Sequence, residues 1–121
     1  MSKSAKVYLH NIIDEVDFLV SAFDEKSLDD LLSSGMLQRA SARSFEIIGE
    51  AAKRITDDFK EKYAEVPWRQ MAGMRNQLIH GYDGIDYGIV FDTVKHNLPE
   101  LKKQMERVLA IEEAREHNQG R

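Results

Sequence analysis

At 121 residues, 42% of them hydrophobic and 31% charged, the chain is long enough for one packed core but not two, and too apolar for a disordered segment. It has no cysteine, which excludes a disulfide scaffold, a thiol nucleophile and a Cys-based zinc site. A net charge of −4 argues against a broad nucleic-acid-wrapping surface but leaves room for a small local site.

The first predicted helix runs from about Ser4 to Phe23, because Leu9, Ile12, Ile13, Val16, Leu19 and Phe23 recur at spacings of three and four. Ser27, followed three residues later by Asp30, predicts a capped short helix through Leu31 and Leu32, with Gly35 ending it. The longest helix is expected from about Met36 to Ile55, with Leu37, Ala40, Ser44, Ile48, Ala51 and Ile55 on its apolar face. Arg39, Arg43, Glu46, Glu50 and Lys53 form a second stripe on that helix. They read either as a solvated face of i,i+4 ion pairs or as support for a neighbouring active centre, with Arg43, Glu46 or Glu50 beside it and orienting its side chains.

Residues 56–63 read as a short polar helix or turn, and Ala64, Glu65 and Val66 as a connector. Pro67 suits the first turn of a helix reaching about Ile79, striped by Trp68, Met71, Met74 and Leu78 and ended by Gly81. After a turn at Tyr82 to Ile85, Asp86 caps a helix through about Lys95. Asn97, Leu98, Pro99 and Glu100 look like a second start signal, and Leu98, Leu101, Met105, Val108 and Glu112 carry the period onward to a tail frayed from Arg115. The expectation is all-α: residues 1–121 form one domain, an antiparallel bundle of four main helices plus one or two short ones. The N-terminal MSKSAKVYLH lacks a signal-peptide core and no apolar run is long enough to span a bilayer, which predicts a cytoplasmic location.

There is no phosphate-binding glycine loop and no His–carboxylate cluster at metal spacing, so no metal or cofactor is expected. Of the four histidines, His10, His96 and His117 sit in polar or terminal settings, whereas His80 has chemical company. Asn76 lies four residues before it, about 40° away on a helical wheel, while Arg75 points roughly 140° away and would have to curl back or meet another chain. Histidine titrates near neutrality and suits proton transfer; arginine forks onto phosphate oxygens. The pair fits phosphodiester cleavage, with two copies of His80 around one cleft supplying both acid and base. The alternative is that His80 caps a helix and Arg75 makes a surface ion pair.

Residues 44–55 and 67–82 together resemble the HepT-like branch of the HEPN proteins: the first its central helix, the second its signature, with Arg75, His80 and Tyr82 at R-x4-H-x-Y spacing. The resemblance covers nearly the whole chain. It implies a homodimer whose paired motifs line one cleft, and a metal-independent endoribonuclease with Arg75 and His80 as the catalytic pair and RNA as substrate. Asn76 matches the polar residue frequent after the arginine, and is expected to hold phosphate or ribose. It further implies the toxin half of a type VII HEPN/MNT toxin–antitoxin pair. Its antidote would be an MntA-type nucleotidyltransferase that transfers AMP from ATP to Tyr82. Two non-enzymatic readings stay open: a nucleotide-binding or regulatory subunit of such a nucleotidyltransferase, and a plain helical interaction module.

Overall fold

A computed structural model describes residues 3–78 and 84–119 of the chain. Its described residues form α1 (Lys3–Ala22), α2 (Leu28–Leu32), α3 (Gly35–Arg54), α4 (Asp57–Lys62), α5 (Trp68–Ala72), α6 (Met74–Leu78), α7 (Tyr87–Asp92), a π turn (Thr93–Asn97) and α8 (Leu98–Gln119). The fold is all-α, as the 3.6-residue periods require. Among the described residues, no helix is long and apolar enough to cross a membrane.

The expected stripe of α1 is buried at every position, from Leu9 to Phe23. Burying a side chain of that size contributes roughly 1.5–3 kcal/mol over leaving it exposed, so this stripe is a main source of cohesion. Tyr8 and Asn11 of α1 lie beside Glu50 and Arg54 of α3, whereas Phe18 and Ala22 lie beside Met36 and Leu37. The two helices are therefore antiparallel. Ion pairs from Lys6 to Glu113 and Glu116, and from Asp17 to Lys102, set α8 antiparallel to α1 in the same way.

α3 buries more than its predicted stripe. Ser41, Phe45, Gly49 and Ala52 are covered as well as Ser44, Ile48 and Ala51, so the helix is central and packs on α1, α5 and α6. Ser44, expected on the apolar face, is buried because its hydroxyl donates to Glu15 Oε1 at 2.7 Å.

Local signals explain most boundaries. Ser27 and Asp30 form the reciprocal capping box of α2, and Thr56 and Asp86 accept from Phe59 N and Ile89 N to start α4 and α7. Each such cap is worth about 1 kcal/mol. Gly35 does not end α2; it is the first residue of α3. Ser33 closes α2, and the Ser34 hydroxyl accepts from Leu37 N at 3.1 Å, so the cap decides the boundary over the glycine.

Two further expectations are corrected and one is refined. The helix expected over residues 67–79 is broken at Gly73 into α5 and α6, with Pro67 at the N-cap rather than inside the first turn. The start signal at Asn97 to Glu100 does coincide with the start of α8 at Leu98, but no break precedes it: the chain runs on from α7 into α8 through the π turn, where Leu98 N–H bonds to Thr93 O. Pro99 explains this, because it has no N–H to give and its ring crowds the carbonyl of Lys95 one turn earlier, the place where the wider turn sits. The tail is not frayed at Arg115, since α8 continues to Gln119 and Arg115 is paired with Glu112.

Candidate active site

The approach to the motif is fixed by an aromatic corner. Phe59 of α4 packs against Tyr63 and edge-on against Trp68, with ring centroids 5.2 and 6.3 Å apart. Trp68 Nε1 donates to Tyr63 O at 3.0 Å, which satisfies the buried indole and pins the start of α5. From there Trp68, Met71, Met74 and Leu78 face the core, as their spacing predicts. With those four inward, Arg75 and Asn76 are exposed at the surface of α6.

Arg75 meets a group of its own chain. Its Nη1 lies 3.2 Å from Glu50 Oε1 of α3, with the two side chains 47% and 51% exposed. Glu50 belongs to the charged stripe of α3, so that stripe is more than a solvated face. The rest of it divides: Arg43 and Glu46 face each other along the helix at 3.7 Å, an exposed pair that does not reach Arg75 in this structure. Asn76 stands exposed next to Arg75 in sequence.

The closeness of α6 to α3 depends on Gly49, which the periodic reading passed over. A Cβ there would lie 3.2 Å from Arg75 N, 3.3 Å from Arg75 Cβ and 3.4 Å from Ala72 O, tighter than ordinary contact. The glycine lets the backbone of Arg75 seat directly on α3, and the side chain then needs only to reach one residue along to Glu50. The available signal was the glycine itself, which costs about 1 kcal/mol against alanine inside a helix and so needs a packing reason.

An exposed ion pair of this kind is worth about 1 kcal/mol or less. It therefore orients the guanidinium without locking it, and a phosphate arriving at the surface could take Glu50's place on the fork. His80 and Tyr82, along with the predicted stop at Gly81, lie outside the described residues, as does the expected shared face of Asn76 and His80. Of the other histidines, His10 and His96 are exposed, and His96 Nδ1 sits 3.2 Å from Asp92 O.

The family model described as ribonuclease HepT-like matches residues 12–108. A protein of Caldanaerobacter subterraneus subsp. tengcongensis, named as a candidate RNase, is 42% identical over 110 residues, covering 91% of this chain and 98% of its own. A probable ribonuclease HepT of Thermococcus cleftensis is 41% identical over 108 residues, covering 89% and 98% respectively. A candidate RNase of Methanocaldococcus jannaschii is 34% identical over 116 residues, 96% of each chain. No solved structure matches. A family match spanning both the α3 stripe and the Arg75 segment, with relatives similar over almost their whole length, has one reading: this chain belongs to the HepT-like ribonuclease family.

Proposed function

We propose that this chain is a metal-independent endoribonuclease that cleaves RNA with Arg75 and His80. The observation that carries the reading is the Arg75 guanidinium, exposed on α6 and held only by half-exposed Glu50, in a chain of the HepT-like ribonuclease family. In the reaction the ribose 2′-oxygen attacks the adjacent phosphorus, the P–O5′ bond breaks, and a 2′,3′-cyclic phosphate forms. A base takes the 2′-OH proton, an acid returns one to the 5′-oxygen, and positive charge must meet the equatorial oxygens. His80 supplies the proton transfers and Arg75 the charge. Asn76 holds phosphate or ribose, while Glu50 keeps Arg75 aimed before substrate arrives. Arg43 and Glu46 support that edge of the site.

One imidazole cannot serve as acid and base in the same step, so the active form is a homodimer with both motifs in one cleft. The protein works as a single-domain cytoplasmic toxin of a type VII HEPN/MNT pair. A partner MntA-type nucleotidyltransferase silences it by adenylylating Tyr82: AMP next to His80 fills the cleft and sets a phosphate against Arg75. The net charge of −4 favours a second reading, a nucleotide-binding or regulatory subunit of that nucleotidyltransferase without cleavage of its own.

The test is cleavage of single-stranded RNA in the presence of a chelator by the wild type and by folded His80→Ala and Arg75→Ala chains. Cleavage reduced by about 100-fold or more in both variants is expected. Equal cleavage by either folded variant removes its residue from the mechanism. Intact RNA with tight ATP or AMP binding moves the protein to the second reading. Co-expression with the nucleotidyltransferase should add adenylyl mass to the Tyr82 peptide and relieve growth arrest.

A further inference from the structure

α1 and α3 leave a groove of about 210 Å³ between them, lined by Tyr8 and Asn11 on one side and by Arg43, Ile47, Glu50 and Arg54 on the other. Arg43, Ile47, Glu50 and Arg54 are spaced by four, three and four, so they form one ridge along the groove, with Ala51 beside Ile47 and Glu50. Glu50 belongs to both places: it lines this groove and its Oε1 holds Arg75. The groove therefore opens directly beside the candidate active site.

We propose that this groove is a binding subsite for the backbone of single-stranded RNA flanking the cleaved bond. The inference rests on the ribonuclease reading above and extends it to residues outside the motif. Its two arginines are available to an anion. Arg43 is 71% exposed with only a 3.7 Å contact to Glu46, and Arg54 is exposed with no ion pair among the described residues. The one carboxylate lining the groove, Glu50, is countered by Arg75 before substrate arrives. A chain of net charge −4 thus places two exposed guanidinium groups on this edge, where a local phosphate contact needs them.

The other lining residues suit a nucleotide unit. Tyr8 lines the groove half-buried against the core, an aromatic side chain of the kind that a base or sugar packs on. The exposed amide of Asn11 can both donate and accept, as a 2′-hydroxyl or a base edge requires. The volume is below the roughly 300–1,000 Å³ of sites that enclose a drug-sized ligand. Arg43 and Arg54 stand about 16 Å apart along α3, at 1.5 Å per residue, so they are spaced for a strand lying along the groove.

The experiment uses the full-length chain. Binding of a fluorescently labelled single-stranded RNA oligomer to the His80→Ala protein is measured against salt, alone and with Arg54→Gln, Asn11→Asp or Arg107→Gln added. Arg54→Gln should weaken binding by about tenfold, as losing one charge-assisted phosphate contact does. It should also lower the slope of log affinity on log salt by about 0.7. Asn11→Asp, which adds a negative charge to the groove, should weaken binding in the same direction. Arg107→Gln, on α8 beside Glu65, should change neither quantity. In the cleaving wild-type background, Arg54→Gln should raise KM for long RNA while leaving kcat, and leaving cleavage of a dinucleotide, unchanged.

RNA binding that depends on Arg54 without any cleavage supports the subsite and sinks the ribonuclease reading. Cleavage and binding indifferent to Arg54 and Asn11 overturn the subsite and leave the ribonuclease standing. A change in oligomer size with unaltered RNA affinity makes the groove a contact between copies of the chain and overturns the inference. RNA neither bound nor cleaved overturns both.

Discussion

Two of the glutamates that hold cations in this protein, Glu112 and Glu50, are built for opposite purposes. Glu112 of α8 is 1% exposed and accepts from the Tyr63 hydroxyl, from Lys62 Nζ at 3.0 Å and from Arg115 Nη1 at 3.1 Å. Glu50 of α3 is half-exposed and meets only Arg75. Removing one partner of a buried, multiply bonded carboxylate strands the others, whereas an exposed single pair can come apart at little cost. Glu112 fastens α8 to the end of α4. Glu50 aims a guanidinium that must later let go.

The sharpest way to break the contrast is Glu112→Ala. It leaves the Tyr63 hydroxyl buried without its acceptor and opens a cavity, so unfolding free energy in denaturant should fall by about 3 kcal/mol. RNA cleavage by the folded fraction at low temperature should be unchanged. A stability loss below about 1 kcal/mol would put Glu112 in the same class as Glu50.

The pH dependence of stability should report the buried cluster. Burial pushes the Glu112 carboxyl up, but the Tyr63 hydroxyl, Lys62 and Arg115 together outweigh it and hold the group below its ordinary value of 4.5. A depressed carboxylate contributes stability that is present above the unfolded value and is lost as pH falls through the folded one. Tyr63 is raised to about 12 by burial and then by Glu112, so its contribution is present below 10.0 and lost as pH climbs toward 12. Melting curves should show both limbs in the wild type, a flatter acid limb in Glu112→Gln, and a flatter alkaline limb in Tyr63→Phe. Identical acid limbs in wild type and Glu112→Gln would mean the cluster is not strongly coupled to folding.

Gly49→Ala tests the geometry behind the looser pair. Helix propensity gains about 1 kcal/mol while the new Cβ presses on Arg75 N, so net stability should move by no more than about that amount. Cleavage should nevertheless drop severalfold, because Arg75 shifts by a few tenths of an ångström relative to Glu50. Unchanged kcat would show that the seat of α6 on α3 does not set the arginine. The smallest stability effect belongs to Glu50→Gln, within about 0.5 kcal/mol. Its signature is a fall in kcat with little change in KM, the pattern of a residue that positions another. A large stability loss would make Glu50 structural after all.

The legible parts of the molecule were those governed by local repeats. The buried stripes of α1 and of Trp68, Met71, Met74 and Leu78 follow from spacing, and the Ser27 box from two residues three apart. Arg75 could be singled out, yet its partner could not be chosen, because Glu50 was one of several charges on α3 and the choice depends on how closely two helices approach. Gly49 decides that distance and leaves no periodic trace. Glu112 looked like one more position on an apolar stripe; its burial is explained by Tyr63 and Lys62, some fifty residues earlier in the chain. The missed boundaries at Gly35 and Gly73 share one cause. Glycine marks a place where a helix can be interrupted, while caps and tertiary packing decide whether it is.

The π turn before Pro99 has a further consequence for how this helix tolerates changes in length. Such a turn amounts to one extra residue spliced into an α-helix without disturbing the lines of the segments on either side. Deleting a residue from 93–97 would restore an unbroken α-helix, but would force the Pro99 ring against a carbonyl in regular register. Replacing Pro99 alone would remove the conflict and leave a spare residue with no purpose. The deletion and the substitution are thus mutually compensating, each costly or idle by itself and compatible as a pair. That makes this junction a hinge point for indels in a helix that otherwise has to keep Glu112 in line with Tyr63.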